Sequence, residues 1–235
     1  MGYNAGQCVC EGVNEVMADS ESTEMYLKTI LELEDDSHEP VAISRIAERL
    51  GVSAVSANEM IKRLAERDMV IHTPYKGVEF TPLGRRRGLN VLRRHRLWEC
   101  FLVDHLNVPW EQSHDLACQL EHATADEVTE RLAVFLGQPE TCPHGSLIPG
   151  ADGTYEEPPT TPLSEMEVGQ TGTIRRIHRE ETPLLEYLAE RGVFPQLPIE
   201  LLDMAPYNGP LTIRINERDV VLGREIAARI LISLN

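Results

Sequence analysis

Four side chains of types that bind metal ions lie within nine residues of one predicted helix. They are His114, Cys118, Glu121 and His122. At about 100° per residue they share a helix face about 100° wide, where a core helix would carry leucine or valine. Imidazole, thiolate and carboxylate groups that converge in this way can coordinate a divalent transition metal. The alternatives are a polar helix face with an incidental cysteine and a Cys–His catalytic pair, although the nearby sequence shows no oxyanion donor.

A second pair of candidate ligands lies earlier in the chain. His95 and Glu99 are four residues apart, so they share one face of a helix. The helix that carries them is predicted over 82–105, and two more helices are predicted over 110–122 and 124–136. The two groups of ligand-type residues therefore belong to helices that follow each other in the chain.

The elements before these helices have the pattern of a DNA-binding motif. Apolar residues repeat at helical spacing over 22–37, 43–50 and 53–67. Gly51 separates the second helix from the third, and two short helices joined by a tight glycine-containing turn form a helix-turn-helix. A β-hairpin predicted over 69–81 follows, so the motif is winged.

The charge of the chain is unevenly distributed. The whole sequence carries a formal charge of −16, yet residues 41–97 hold twelve Lys and Arg against five Asp and Glu. A basic stripe on one domain is typical of nucleic-acid binding. The alternative is a locally basic, solvated surface. The excess of acid elsewhere, with 19 Arg but 3 Lys, is typical of proteins from a high-salt cytoplasm.

The last third of the chain has a different period. A segment rich in Gly, Pro, Thr and acid, 151–165, predicts a linker. Five short strands punctuated by turns follow it, which indicates a small β-barrel. The predicted elements are the strands Gly172–His178, Ile199–Met204, Leu211–Asn216, Asp219–Leu222 and Ala228–Leu234, and the helix Leu184–Arg191.

Length and composition indicate a soluble protein of about two domains. The chain has 235 residues, of which 42% are hydrophobic. No run approaches the roughly 20 apolar residues of a membrane helix, and residues 1–20 lack the basic and apolar segments of a secretory signal. Five scattered cysteines do not form a disulfide framework, so we expect a reducing, cytoplasmic setting.

Five sequence blocks occur in the order found in one known family. They are STEMYLKTILELED, ISRIAERLGVSAVSANEMIKRLAERDMV, RRHRLWECFLVDHL, SHDLACQLEHATADEVTERL and PHGSLIPG. With these blocks, residues 22–150 resemble the diphtheria-toxin-repressor family of metal-dependent transcriptional regulators. The predicted barrel, 165–235, resembles the SH3-like or FeoA-like domain that ends many members.

The resemblance implies a mainly α-helical fold with a small β domain. The expected parts are a disordered leader (1–20), a winged helix-turn-helix DNA-binding domain (21–88), a helical metal-binding and dimerisation domain (89–150), a linker (151–165) and an SH3-like or FeoA-like β-barrel (166–235).

The resemblance also implies two metal sites per subunit. The primary site would use Met25, Cys118, Glu121 and His122, and the ancillary site would use His95, Glu99 and His114. An anion would accompany the ancillary site near Arg96 and Ser146. The barrel would contribute Glu180 or Glu181, since Pro183 replaces the amide-bearing residue of some members.

The ligand types favour Fe2+ as the physiological metal, with Mn2+ second. A methionine thioether and a cysteine thiolate are softer donors than a manganese site normally offers. For Met25 taken alone, a core methionine is the default interpretation. Only the family resemblance makes it a ligand.

The predicted recognition helix, 53–67, would lie in the major groove of operator DNA. Side chains in its first half are expected to reach base edges, and three basic residues are expected to contact phosphates. The base-reading candidates are Ser53, Val55, Ser56 and Glu59; the phosphate-contacting candidates are Lys62, Arg63 and Lys76. Glu59 replaces the glutamine typical of some relatives, and a carboxylate accepts a hydrogen bond from cytosine N4 rather than pairing with adenine.

These features predict a metal-dependent transcriptional regulator, most simply a repressor of metal-uptake genes that binds DNA as a homodimer. Metal that bonds side chains from both N-terminal domains would favour the operator-binding geometry. One alternative is a winged-helix regulator that senses an organic ligand, with the His/Cys/Glu face structural. A metalloenzyme is a second alternative, but it would need an open coordination position and a nearby base. We expect no enzymatic activity and no membrane partner.

Overall fold

The computed structural model of the protein describes residues 20–34 and 39–234. Apart from Ser20, the predicted leader lies outside these residues. In chain order, the described residues form a winged-helix unit, a helical unit and a C-terminal sheet unit. None of the helices in the described ranges is long and apolar enough to cross a lipid bilayer.

The winged-helix unit contains the five elements that the sequence predicts. They are helices α1 (Glu21–Leu33), α2 (Ile43–Leu50) and α3 (Ala54–Glu66), and the hairpin strands β1 (Val70–Thr73) and β2 (Gly77–Phe80). Ser20 and Ser53 cap α1 and α3, because each side-chain oxygen accepts a hydrogen bond from the backbone N–H three residues later. Gly51 ends α2 at φ +65°, the left-handed conformation that glycine adopts without strain.

The first helix is shorter than predicted. The sequence predicts it over 22–37, but α1 ends at Leu33 and Glu34 is already extended. Apolar side chains of α1, α2 and α3 form one core, in which Leu27, Ile46 and Ile61 are fully buried. This core fixes α1 against the helix-turn-helix.

The helical unit is built around one long helix. It comprises α4 (Pro82–Asp104), a 3₁₀ turn (Trp110–Gln112), α5 (Ser113–Glu121) and α6 (Asp126–Phe135). The helix predicted over 110–122 is therefore split into a 3₁₀ turn and a shorter α-helix. At the start of α4, a Cβ on Gly84 would lie 1.8 Å from the backbone oxygen of Met69, so only glycine allows α4 to lie so close to β1.

The C-terminal unit is a six-stranded antiparallel sheet with two helices. Its strands are β3 (Thr161–Pro162), β4 (Thr171–Ile177), β5 (Pro198–Met204), β6 (Leu211–Ile215), β7 (Arg218–Leu222) and β8 (Ile230–Leu234), in the order β3-β8-β4-β5-β6-β7. The helices are α7 (Thr182–Glu190) and α8 (Arg224–Ala227). Apolar side chains from the sheet and α7 form a separate core.

The sheet begins inside the segment predicted as a linker. Thr161 pairs with Ile232 and Pro162 with Leu231, and the next residue, Leu163, is fully buried. The Pro- and Thr-rich composition of 151–165 suggested a linker throughout, but proline is acceptable in an edge strand and β3 is such a strand. The segment that connects the helical and sheet units is therefore shorter than predicted.

Candidate metal centre

The candidate ligands of α4 and α5 face each other in the interior. His95 and Glu99 lie one helical turn apart on α4, and Cys118 and Glu121 lie on the face of α5 that packs against them. His95, Glu99 and Glu121 are 1% exposed or less. Buried charged residues are rare unless they are paired or bind a metal, so these residues form the candidate metal centre of the helical unit.

Two α5 ligands of the predicted primary site contact α1 through a lysine. Both carboxylate oxygens of Glu121 accept hydrogen bonds from Lys28 Nζ, at 2.7 and 2.8 Å. The same ammonium group lies 3.4 Å from Cys118 Sγ. The sequence carries no signal for the burial of Lys28, because a lysine on an amphipathic helix normally faces solvent.

His122, the residue that follows α5, is also held by α1. His122 Nδ1 lies 2.7 Å from a carboxylate oxygen of Glu24, and its Nε2 lies 3.2 Å from Glu121. Met25 follows Glu24 on α1 and is 37% exposed. Residues of the winged-helix unit thus already contact Glu121 and His122 of the helical unit.

The predicted ancillary ligands form a tight group. His95 Nε2 lies 2.9 Å from Glu99 Oε1 and 3.1 Å from His114 Nδ1. His114 Nδ1 also lies 3.2 Å from Glu180 Oε2, which reaches in from the C-terminal unit. One ligand atom from each of these four residues lies within 4.8 Å of the others. This group is called the ancillary cluster below.

A further possible ligand pair, which was not predicted from the sequence, lies beside the ancillary cluster. Cys142 and His144 are both buried, and together with Glu99 they form another group whose ligand atoms are within 4.8 Å of one another. His144 Nε2 donates to the backbone oxygen of Trp110, so Nδ1 faces Glu99 at 3.2 Å. The signal in the sequence was a cysteine and a histidine two residues apart in a loop, which no helical periodicity could reveal.

Close packing of this loop on β4 places the pair. Gly145 has φ +85°, and a Cβ there would lie 2.0 Å from the backbone oxygen of Arg175 on β4. The backbone N–H of Ile177 donates to the backbone oxygen of His144. The loop that carries Cys142 and His144 therefore lies beside the ancillary cluster. Glu180, three residues beyond β4, reaches the same cluster.

The chemistry of these residues fits a bound cation. Among the side chains that the structure describes, Glu99 Oε2 and Arg94 Nε are the buried polar atoms without a hydrogen-bond partner. A buried, unpartnered carboxylate oxygen costs folding free energy unless a cation or donor satisfies it. Glu99 Oε1 contacts His95, His114 and His144, and a cation bound at Oε2 would supply the missing partner.

Opposite charges stabilise one another within the ancillary cluster. Burial alone would lower the pKa of His95, and Lys28 lowers it further, but Glu99, Cys118 and Glu121 raise it well above its usual value. Burial and Glu99 would raise the pKa of Glu180, yet His144 and His114 lower it to about 2. The carboxylates therefore favour the protonated forms of the histidines, and a metal bound here would compete with those protons.

The cysteine on α5 is poised as a ligand. Burial raises the pKa of Cys118, but hydrogen bonds from His114 and His95 and the charge of Lys28 lower it to about 6. By contrast, burial raises the pKa of Cys100 to about 12. The thiolate, which is the form that binds metals, is thus favoured at Cys118 at neutral pH.

The remaining predicted site residues surround the ancillary cluster. Ser146 Oγ donates to Glu180 Oε1 at 2.8 Å, and Arg96 donates to the backbone oxygen of Leu147 and to the Tyr155 hydroxyl. The two residues predicted to bind an anion are therefore engaged by protein groups. Glu181 does not belong to the cluster; it is exposed and pairs with Arg229 at 3.1 Å and with Arg49 at 3.5 Å.

The predicted DNA-contacting residues share an exposed surface. On α3, Ala57, Ile61 and Leu64 face the core, while the predicted contact residues face outward. The exposed set is Ser53, Val55, Ser56, Glu59, Lys62, Arg63 and, on the turn of the wing, Lys76. This is the arrangement that a major-groove reading helix requires.

Comparisons with known proteins cover all three units. Residues 20–78 match the model described as "Iron dependent repressor, N-terminal DNA binding domain", and residues 81–150 match "Iron dependent repressor, metal binding and dimerisation domain". Residues 161–234 match the FeoA domain. The iron-dependent repressor IdeR of Mycobacterium leprae is 31% identical over 220 residues, which cover 88% of this chain and 94% of that protein. The chain belongs to the diphtheria-toxin-repressor family.

Other members of the diphtheria-toxin-repressor family agree with this assignment. The diphtheria toxin repressor of Corynebacterium glutamicum is 41% identical over 131 residues, which are 55% of this chain and 57% of that protein. A solved manganese-dependent transcriptional repressor in complex with manganese superposes with a TM-score of 0.84 at 37% identity, covering 91% of this chain and all of that one. ScaR with bound Zn2+ gives a TM-score of 0.78 at 30% identity, covering 90% and 98%. The predicted family and fold class are confirmed.

Proposed function

We propose that this protein is a metal-dependent DNA-binding repressor in which a metal ion ties the winged-helix unit to the helical unit. The contacts of α1 with α5 carry the proposal. On α1, Glu24 reaches His122, the residue that follows α5, and Lys28 reaches Glu121 at the end of α5, at 2.7 Å each. A cation bonded to ligands from both helices would fix the angle between the two units.

Two metal sites per subunit are proposed. The primary site would be held by Met25 of α1 with Cys118, Glu121 and His122, and the ancillary site by the ancillary cluster with Cys142 and His144 close by. The metal supplies charge and bonds rather than reaction chemistry. In the primary site, Cys118 and Glu121 would bind, and Met25 would link α1 to them.

DNA recognition would depend on the angle between the winged-helix unit and the helical unit, which the metal–ligand bonds would set. Two recognition helices of a homodimer must lie one helical turn of DNA apart, about 34 Å, to enter successive major grooves. Metal binding can favour this DNA-binding arrangement of the two units only if the metal binds more tightly to it than to the other arrangements. The family match to a metal binding and dimerisation domain supports this use of the helical unit.

Fe2+ is the proposed physiological metal, with Mn2+ second. Thiolate and thioether donors in the primary site suit Fe2+ better than Mn2+, whereas the imidazole and carboxylate donors of the ancillary cluster accept either. Relatives are named as both iron- and manganese-dependent repressors, so the family alone does not decide. No such relative supports the alternative of an organic ligand.

The test is operator binding with and without metal. A random-sequence duplex library is selected against the protein with Mn2+, and anaerobically with Fe2+. The dissociation constant for the selected duplex is then measured at one fixed salt concentration, because phosphate contacts make affinity salt-dependent. We expect metal to tighten binding at least tenfold and EDTA to reverse the effect.

A Cys118→Ser variant provides the matched control. It keeps the size of the side chain but removes the thiolate, so the metal should no longer strengthen its DNA binding. Equal operator affinity of the wild-type protein with Mn2+, with Fe2+ and with EDTA would reject the proposed function.

A further inference from the structure

The ammonium group of Lys28 lies among the ligands of the proposed primary site. Its Nζ is 2.7 and 2.8 Å from the two oxygens of Glu121, 3.4 Å from Cys118 Sγ and 3.4 Å from His95 Nδ1. Lys28 is 5% exposed, although lysine is almost never fully buried unless it is paired. We infer that Lys28 is a built-in cation that competes with the metal and must leave for the primary site to fill.

Geometry makes the two cations mutually exclusive. Zn2+, as an example of a divalent transition metal, binds carboxylate oxygen at about 2.0–2.2 Å and thiolate sulfur at about 2.3 Å. The Lys28 ammonium occupies the space between both Glu121 oxygens and Cys118 Sγ, which is the space such bonds require. A divalent ion there would also repel an ammonium group within a few ångströms. One cation or the other can occupy this position.

Without metal, the lysine has a structural role. Glu121 is fully buried, and a buried carboxylate without a partner is strongly destabilising. Lys28 neutralises it and joins α1 to α5, so the two units stay in contact before any metal binds. The inference rests on the proposed function, because it concerns the same primary site.

Another residue of α1 can accept the Lys28 ammonium group when it leaves the primary site. Lysine carries its charge on a flexible four-carbon stem, so the ammonium can move while the helix stays in place. Glu32 lies four residues further along α1 and is therefore a neighbour on the helix surface. Its side chain is 24% exposed and has a long, 3.5 Å contact with Arg49, so it can accept the displaced ammonium near solvent.

Competition from Lys28 raises the metal concentration that is needed to fill the primary site. The metal must break two short Lys28–Glu121 hydrogen bonds before it gains its own ligands, so the apparent affinity is lower than the ligands alone would give. Lys28 therefore sets the metal concentration at which the protein responds, although it is not itself a metal ligand.

The first experiment measures metal affinity with Co2+ as the probe. Anaerobic titrations follow the thiolate-to-cobalt charge-transfer absorption in the wild type, Lys28→Met, Lys28→Arg and Arg218→Met. We expect Lys28→Met to bind Co2+ at least tenfold more tightly, Lys28→Arg to stay within about threefold of the wild type, and Arg218→Met to match the wild type. Arg218 is an exposed basic residue on β7, so it controls for the loss of a positive charge.

The second experiment uses the wild-type protein and so does not depend on the variants folding. Lysines are acylated with acetic anhydride without and with saturating Co2+, and the labelled peptides are quantified by mass spectrometry. Lys28 should be protected without metal and labelled with it, while Lys62 and Lys76 are labelled in both states. Protection of Lys28 in both states, or equal Co2+ affinity of Lys28→Met and the wild type, overturns the inference alone. Absence of the charge-transfer absorption in the wild type rejects the primary site itself.

Discussion

His95 is the residue that joins the two proposed metal sites. Its Nδ1 lies 2.6 Å from Glu121, a primary ligand, and its Nε2 lies 2.9 Å from Glu99 in the ancillary cluster. Both ring nitrogens therefore face carboxylates, which is why its pKa is raised despite complete burial. A metal in either site takes a carboxylate partner from His95, so occupation of one site should alter the affinity of the other.

The thiolate of Cys118 gives a direct readout of primary-site occupation. At pH 7, iodoacetamide should alkylate Cys118 at least tenfold faster than Cys100 or Cys142, because these two are buried and their pKa values are raised. The pKa of Cys118 is lowered to about 6, so its thiolate persists above that pH and the reaction should slow as pH falls through 6. Peptide mass spectrometry identifies each modified cysteine.

Metal should protect the same sulfur. Saturating Fe2+ under anaerobic conditions should suppress alkylation of Cys118 and leave that of Cys100 unchanged. If Cys118 reacts equally fast with and without Fe2+, it is not a ligand.

Residue types and helical spacing were enough to predict which side chains gather on α4 and α5. Glu99, His114 and Cys118 each lie where the spacing predicts, since a helix face is fixed by its period. The spacing could not reveal Lys28, because its burial depends on how α1 packs against α5. Nor could it reveal His144, which a loop positions.

At the scale of elements, the junction of the wing with α4 allows one sharp test. Gly84 lies where a Cβ would be 1.8 Å from the Met69 backbone oxygen. Gly84→Ala should therefore force β1 and α4 apart and lower the free energy of unfolding by about 3 kcal/mol. Urea unfolding followed by circular dichroism measures the change.

Gly223→Ala is the matched control. Gly223 has φ −64°, and nothing lies within 4 Å of a Cβ built on it. The control should change the free energy of unfolding by less than about 1 kcal/mol. Equal effects of the two substitutions would show that the close approach of α4 to β1 is unimportant.

The recognition helix should read a base through Glu59. This exposed carboxylate can accept from cytosine N4, whereas glutamine pairs with adenine N6 and N7. Glu59→Gln should therefore change the selected base at one position of each half-site, with about tenfold discrimination. Parallel selection from a random duplex library measures it, and Lys62→Ala should weaken binding to all sequences alike. An unchanged preference would remove Glu59 from the reading surface.

Most elements were predictable because their ends carry local signals, such as the serine caps of α1 and α3 and Gly51 between α2 and α3. Three details were not. The end of α1 at Leu33 and the 3₁₀ turn before Ser113 leave the apolar spacing intact, so periodicity alone cannot detect them. Strand β3 is two residues long and exists only because β8 pairs with it.

At the scale of the whole molecule, two adjacent glutamates connect the C-terminal unit to the rest in different ways. Glu180 lies 3.2 Å from His114 in the ancillary cluster, while Glu181 pairs on the surface with Arg229 and Arg49. The sequence could not choose between them. The turn after β4, in which Arg179 has φ +60°, places only Glu180 at the cluster.

This difference predicts the metal content of two neighbouring variants. Glu180→Gln removes a charged ligand from the ancillary cluster, so affinity for the second Mn2+ should fall at least tenfold. Glu181→Gln should bind Mn2+ like the wild type, because exposed ion pairs contribute little. Equilibrium dialysis with elemental analysis measures both. A larger loss in Glu181→Gln than in Glu180→Gln would contradict the assignment.

Anomalous diffraction from crystals grown with Mn2+ or, anaerobically, Fe2+ shows whether a metal ion joins the winged-helix unit to the helical unit. We expect a metal peak bonded both to Met25 of α1 and to Cys118, Glu121 and His122, and a second peak in the ancillary cluster. Metal-saturated crystals with no peak between α1 and α5 would contradict it.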